Sequence, residues 1–296
     1  MKTFRLDESR FIPDAKQHLF FELKSGARRP VLVLGCNYCA QCVARQIEVA
    51  AFIDDFTTET TFMDKPIIRA ENVPQGALVV SCATNWPLSA LRRLRAAVGN
   101  VDVLDYFALN NLDRLHFPDV VYFENCREDI DANRDKYAYV YEHLADETSR
   151  EQFVRICNFR YTMNLDWLKG FASDLERQYF DGFIRLDSDE VFVDGGGYDG
   201  ETTLRFARHC AHYKSIYYFE PTPAMMEVSR RNLESLKNVR FIQKGLAGHD
   251  ATLSFDSSRG VGNRLSNQGG TKIEVVRLDD VVEERTTYIK LDIEGA

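Results

Sequence analysis

A chain of 296 residues, 45% of them hydrophobic, is long enough for two domains with cores of their own. Its formal net charge of −8 argues against a general nucleic-acid surface, which needs clustered Lys and Arg to neutralise phosphates. No stretch approaches the ~18 consecutive apolar residues that span a bilayer, and the opening MKTFRLDESRFIPDAK lacks an apolar signal segment, so the expectation is a cytoplasmic protein engaging neither membrane nor nucleic acid.

In chain order, residues 29–109 alternate strand and helix. VLVLG (31–35) is a short apolar run ending in glycine, as a buried parallel strand should. A helix over CAQCVARQI and a strand over VAAFIDDF (49–56) follow. KPIIRAENVP is turn-like and edge-like. ALVVSCA (77–83) is a third strand, PLSALRRLRAAVG a helix and VDVLDYFAL a fourth strand, a βαβ rhythm that implies a small parallel sheet with Rossmann-like winding. Cys36, Cys39 and Cys42 sit three apart, but no second thiolate pair or His stands at zinc-ligand spacing, and the segment reads as a helix start. Seven cysteines without an export signal are expected as thiols. The turn Gly35-Cys36-Asn37-Tyr38-Cys39-Ala40 lacks the second glycine that lets backbone approach a pyrophosphate. Asp54 and Asp55 could meet a ribose, although acids at strand ends also form turns. A structural or substrate-positioning domain is the preferred reading here, with nucleotide or nucleotide-sugar binding as the alternative.

From Asn110 to about Asp189 the pattern becomes helical, with Tyr137, Tyr141 and Leu144 on one amphipathic stripe. Most aromatics of this stretch read as core. Tyr179 or Phe180, just before the next strand, could roof a site.

A sharper rhythm then begins. EVFVD (190–194) is a buried strand, GGGYDG a turn and ETTLRFARHCAHY a helix. Glycines there let backbone pass close to a ligand, and the helix start offers N–H groups to a carboxylate. SIYYFE (215–220) ends in Glu220, which can take both hydroxyls of a ribose. Thr222 and Pro223 read as N-cap and N1 of the next helix. VRFIQKGLA (239–247) is a third strand and TYIKLDIE (287–294) a later one ending in acids. Gly195-x-Gly197-x-x-Gly200 also fits a dinucleotide fingerprint, so a nicotinamide-dependent oxidoreductase or epimerase is an alternative. Asp194 directly before the glycines, and Asp292 and Glu294 at a strand's carboxyl end, favour S-adenosylmethionine instead.

Over QYFDGFI, EVFVDGGGYDGETT, YYFEPTPAMMEV, NVRFIQKGLAG, VVRLDDVV and YIKLDIEGA the chain resembles the FkbM-type methyltransferases. The resemblance implies S-adenosylmethionine as cofactor and O-methylation of a sugar, polyketide or related metabolite, with a small-molecule or glycan acceptor. It implies that Asp194, Gly195, Gly196, Gly197, Tyr198, Asp199 and Gly200, with Thr202, cradle the methionine part. Glu220 would hold the ribose, and Gly245 and Leu246 would lie beside adenine. Asp292 and Glu294 match the acids near the transferred methyl group, and Asp279 and Asp280 match a Leu-Asp-Asp stretch where helix capping suffices. By strand alternation Lys290, Asp292 and Glu294 share one face. Asp292 is expected to position or deprotonate the acceptor hydroxyl, with Lys290 as its ion-pair partner; a structural Lys290–Glu294 pair is the alternative. A divalent metal at Asp292 and Glu294 would need waters and substrate oxygens, so no metal ligand is assigned. His209, His212 and His249 read as solvated.

The expected fold class is α/β: an N-terminal Rossmann-like domain over 1–110, a helical connector over 111–185, and a C-terminal class I methyltransferase (Rossmann-like) domain over 186–296. The resemblance implies a further helix and strands after Gly-Ala, so that domain is expected to be truncated after its fourth strand. A non-catalytic or truncated cofactor-binding module is therefore a further alternative, and a homo-oligomer would be one way to supply the missing part.

Overall fold

The computed structural model describes residues 3–8, 13–171, 174–256, 264–265 and 271–293. The chain forms two compact units, Met1–Phe171 and Ala172–Ala296, so the residues expected to connect two domains divide between them.

In the first unit α1 (Asp14–Lys24) precedes β1 (Val31–Leu34), α2 (Tyr38–Gln46), β2 (Ala51–Ile53), β3 (Thr61–Phe62) and β4 (Lys65–Ile68). After these come β5 (Leu78–Ser81), α3 (Pro87–Val98), β6 (Asp102–Asp105) and α4 (Tyr106–Leu112). The sheet order is β3-β4-β2-β1-β5-β6. All neighbours run parallel except the β3–β4 pair at the edge. Strand alternation divides the core between the two faces, as a doubly covered parallel sheet requires. Val33, Phe52, Val80 and Leu104 pack on one side, and Leu32, Ile53, Val79 and Leu94 on the other.

VDVLDYFAL, expected as one strand, is the short strand β6 followed by α4. The side chain of Asp105 accepts from Ala108 N–H at 3.0 Å and starts a helix where an apolar run alone reads as strand. KPIIRAENVP supplies β4 and a short helical turn, and its strand lies next to the edge. The helical stretch breaks into α5 (Cys126–Ala132), α6 (Arg134–His143) and α7 (Glu147–Thr162). Asp146 caps α7 through Ser149 N–H. On the expected stripe Tyr141 is buried, while Tyr137 and Leu144 are half-buried.

The second unit holds β7 (Val191–Gly195), α8 (Glu201–His209), β8 (Ser215–Phe219), α9 (Pro223–Asn232) and β9 (Val239–Ile242). Next are β10 (Gly245–Leu246), β11 (Ala251–Asp256), β12 (Arg264–Leu265), β13 (Thr271–Val276) and β14 (Tyr288–Leu291). One sheet is β14-β7-β8-β9, all parallel. Every residue of β7 and β8 is buried, and stacked Phe192, Phe206 and Tyr288 fill one face. Phe192 and Phe206, both fully buried, each contribute on the order of 1.5–3 kcal/mol. The run expected as one strand over 239–247 is two: β9 stays in this sheet, while β10 pairs with β13 in a second sheet ordered β10-β13-β11-β12. That sheet was not expected from the sequence. Among the described residues no helix is long and apolar enough to cross a membrane.

Candidate active site

Strand β7 ends at Gly195, between β14 and β8, and the loop that follows lies at the carboxyl edge of the sheet. Gly196 (φ +73°), Tyr198 (φ 53°) and Gly200 (φ +89°) take left-handed backbone, the region glycine enters without a Cβ clash. Two of the loop's amides, those of Gly196 and Gly197, donate to the Phe219 carbonyl at 3.0 and 2.9 Å. Gly200 N–H donates to Gly197 O at 2.9 Å, and Tyr198 N–H to Glu220 Oε2 at 3.0 Å. The hydroxyl of Tyr218 in turn donates to the Tyr198 carbonyl at 2.8 Å.

The glycines answer to close contacts with the protein's own atoms. A Cβ on Gly196 would fall on the Asp292 carbonyl oxygen, and one on Gly197 on the Tyr218 ring. One on Gly195 would lie 2.8 Å from Leu291 Cδ2 and 2.9 Å from Leu246 Cδ1. The loop is thus packed between β14, β8 and β10 with no room for side chains on its inner side.

Beneath it, Asp194 and Lys290 are both buried and are register partners across β7 and β14. The Lys290 ammonium sits 3.0 Å from Asp194 Oδ1, an ion-pair contact in which that oxygen receives no well-directed hydrogen bond. It also donates to Gly196 O at 2.6 Å, and Thr203 Oγ1 donates to Asp194 Oδ2 at 2.6 Å. Lys290 therefore pairs with Asp194 and, among the described residues, not with Asp292 as expected: its partner Asp194 lies across the sheet. Buried against the loop's underside, it positions the loop. Thr203, not the half-buried Thr202, reaches the carboxylate, a distinction that two adjacent threonines in a sequence do not reveal.

Glu220 follows β8 and is buried. Besides Tyr198 N–H, its carboxylate accepts from Thr222 N–H at 2.8 Å and Thr222 Oγ1 at 2.5 Å. Thr222 and Pro223 are N-cap and N1 of α9 as expected, but the Thr222 hydroxyl serves Glu220 instead of the helix. Leu246 is buried against β7 and β8 residues, and Gly245 pairs with Val275.

Asp292 follows β14 with its side chain exposed; its N–H donates to Gly195 O at 2.9 Å. The Tyr179 hydroxyl stands 3.4 Å from Asp292 Oδ2. Burial, then the charge of Asp292, raises the Tyr179 pKa, so the phenol stays protonated. Phe180 is buried in the core instead. Glu294 lies outside the described residues. Among the described residues no group of three or more His, Cys, Asp or Glu stands together as a metal site. His209, His212 and His249 are exposed, and Asp279 and Asp280 are exposed in a short helical turn.

Residues 194–296 match the family model of the methyltransferase FkbM domain. The crystal structure of methyltransferase FkbM from Methylobacillus flagellatus superposes with a TM-score of 0.70 over 98% of this chain and 78% of that one, at 19% identity, a likeness of fold. An rRNA methylase from Streptococcus thermophilus is 24% identical over 21% of this chain and 33% of that one, but its TM-score of 0.19 carries no argument. No curated protein matches the sequence. Over residues 194–296 the chain is thus similar to the FkbM methyltransferase domain.

Proposed function

We propose that the second unit binds S-adenosylmethionine at the loop after β7 and methylates a hydroxyl of a sugar, polyketide or related small molecule. The observation that carries this reading is the fixed loop at the carboxyl edge of the sheet, flanked by one buried carboxylate (Glu220) and one exposed carboxylate (Asp292). Ligands of open α/β sheets bind at that edge. When bound, the cofactor supplies an electrophilic methyl group on a sulfonium.

The residues fit such a ligand. A carboxylate has about four acceptor positions, and three on Glu220 are taken by Tyr198 N–H, Thr222 N–H and the Thr222 hydroxyl. One ribose hydroxyl takes the fourth; the second replaces the Thr222 hydroxyl, which is free to rotate. The exposed ring of Tyr198 stands beside the loop as a wall. Asp292 orients the acceptor hydroxyl and takes its proton, a role worth about 10²–10⁴ in rate for general bases. The protonated Tyr179 phenol donates to Asp292 and keeps the carboxylate aimed.

The test is transfer of labelled methyl from S-adenosylmethionine to a panel of hydroxylated sugars and polyketides. Label in an O-methyl ether, lost in Asp292→Asn while cofactor binding persists, supports the reading. Label found on nitrogen or carbon, or undiminished in the variant, contradicts it.

A further inference from the structure

The first unit has a cleft of about 480 Å³ that the methyltransferase reading leaves unused. It opens at the carboxyl ends of β1, β2 and β5, with Gly35, Asn37, Asp54, Asp55 and Thr84 on its walls. That edge is where open parallel sheets hold ligands, and the volume is in the range of small-molecule sites.

Each wall carries distinct chemistry. Trp86 at the N-cap of α3 lines the cleft with Ser89, Ala90 and Arg93 of the helix itself, which follow it at spacings of three, four and seven. Ser89 and Ala90 are small and leave room between an indole at one end and a guanidinium at the other. Trp86 is 57% exposed, a large ring left open beside a cavity. Across from α3, Phe56 is 78% exposed and stacks under the Arg93 guanidinium at 4.4 Å. Arg93 has no carboxylate partner among the described residues. Asp54 Oδ1 accepts from Phe56 N–H at 2.8 Å and Thr57 N–H at 3.2 Å, while Asp55 Oδ1 accepts from Ala70 N–H at 2.8 Å. One oxygen of each carboxylate fixes the loop, and the other remains for hydroxyl donors. The loop is braced further by Arg69, which donates to the carbonyls of Asp54 and Thr57 at 2.7 and 3.0 Å.

We propose that this cleft binds a nucleoside diphosphate sugar, with its base against Trp86 and its ribose hydroxyls on Asp54 and Asp55. An acid at the end of the second strand of a Rossmann-like winding is placed to meet a ribose. The charges then select among nucleotides. Two carboxylates against one unpaired guanidinium disfavour a free triphosphate, whereas a diphosphate esterified at both ends carries less charge for Arg93 to offset. The turn at Gly35 has only one glycine before Cys36 and Asn37, and Asn37 is fastened by its own amide to Cys82 O at 2.7 Å, so the diphosphate falls to the Arg93 guanidinium and not to the turn's backbone. The proposal does not depend on cofactor binding in the second unit.

The experiment is titration of the full chain with uridine, guanosine, thymidine and adenosine diphosphate glucose, read by tryptophan fluorescence and calorimetry, with NAD and ATP as comparators. Saturable binding of at least one nucleotide sugar, with Trp86 emission quenched, is expected. The double variant Asp54→Asn with Asp55→Asn keeps both loop-fixing oxygens and should weaken binding at least tenfold with an unchanged melting temperature; Trp86→Ala should weaken it and abolish the quench. S-adenosylhomocysteine binding should be unaltered in all of them, which separates this site from the other. No saturable binding of any nucleotide sugar at millimolar concentration, tighter binding of NAD or ATP, or full affinity in the double variant would overturn the proposal.

Discussion

The ammonium of Lys290 and the carboxylate of Asp194 face each other at 3.0 Å inside the second unit, side by side on two parallel strands. The same ammonium holds the carbonyl of Gly196, so the buried pair supports the loop that carries the proposed cofactor.

Removing one partner leaves an uncompensated buried charge. Lys290→Met or Asp194→Leu should each destabilise the second unit by about 3–5 kcal/mol, and the double variant by less than the sum. Urea unfolding followed on the second unit measures this. Additive losses would show that the two side chains do not act as a pair.

Gly196→Ala adds a Cβ where the Asp292 carbonyl oxygen stands, on backbone at φ +73°. It should lower stability by at least ~1–3 kcal/mol, the scale of strained backbone, and reduce cofactor affinity with it. Gly248→Ala, with nothing within 4 Å and ordinary φ, is the control and should change neither. Equal effects at both positions would remove the packing argument.

Glu284 accepts from Tyr217 and Ser215 hydroxyls and pairs with Lys214, and these contacts lower its pKa, with Lys214 the largest cause. A depressed folded-state value means its contribution is present above the unfolded carboxylate pKa and is lost as pH falls through the folded one. Between about pH 6 and pH 3, the wild-type urea midpoint should therefore fall more than that of Glu284→Gln. Parallel curves would count against the network.

Cys36 has its thiol pKa pushed up to about 11, first by burial and then by the charge of Asp54. Asp54→Asn should lower it and speed alkylation of Cys36 near neutral pH, because the thiolate is the nucleophile. An unchanged rate would place Asp54 too far from the thiol to matter.

The glycine loop and the parallel strands around it were legible because they rest on local signals: left-handed turns that need glycine, and short apolar runs ending in acids. Asp105 shows where that logic fails, since the same apolar run serves a strand or a helix until a cap decides. Lys290 fails differently. Alternation put it on a face with Asp292 and Glu294, but its partner lies 96 residues earlier on a neighbouring strand, and register between distant strands is not written locally. The pairing of β10 with β13 was hidden for the same reason. Tyr218, whose ring lies where a Cβ on Gly197 would go, reads in the sequence as one of three aromatics in SIYYF.

The most direct test of cofactor binding is calorimetric titration of the full chain with S-adenosylhomocysteine, wild type against Glu220→Ala. One saturable site is expected, weakened by about 1–3 kcal/mol in the variant, the scale of charge-assisted hydrogen bonds. No binding to the wild type, or the same affinity in the variant, would contradict a cofactor seated between the loop at Gly196 and the carboxylate of Glu220.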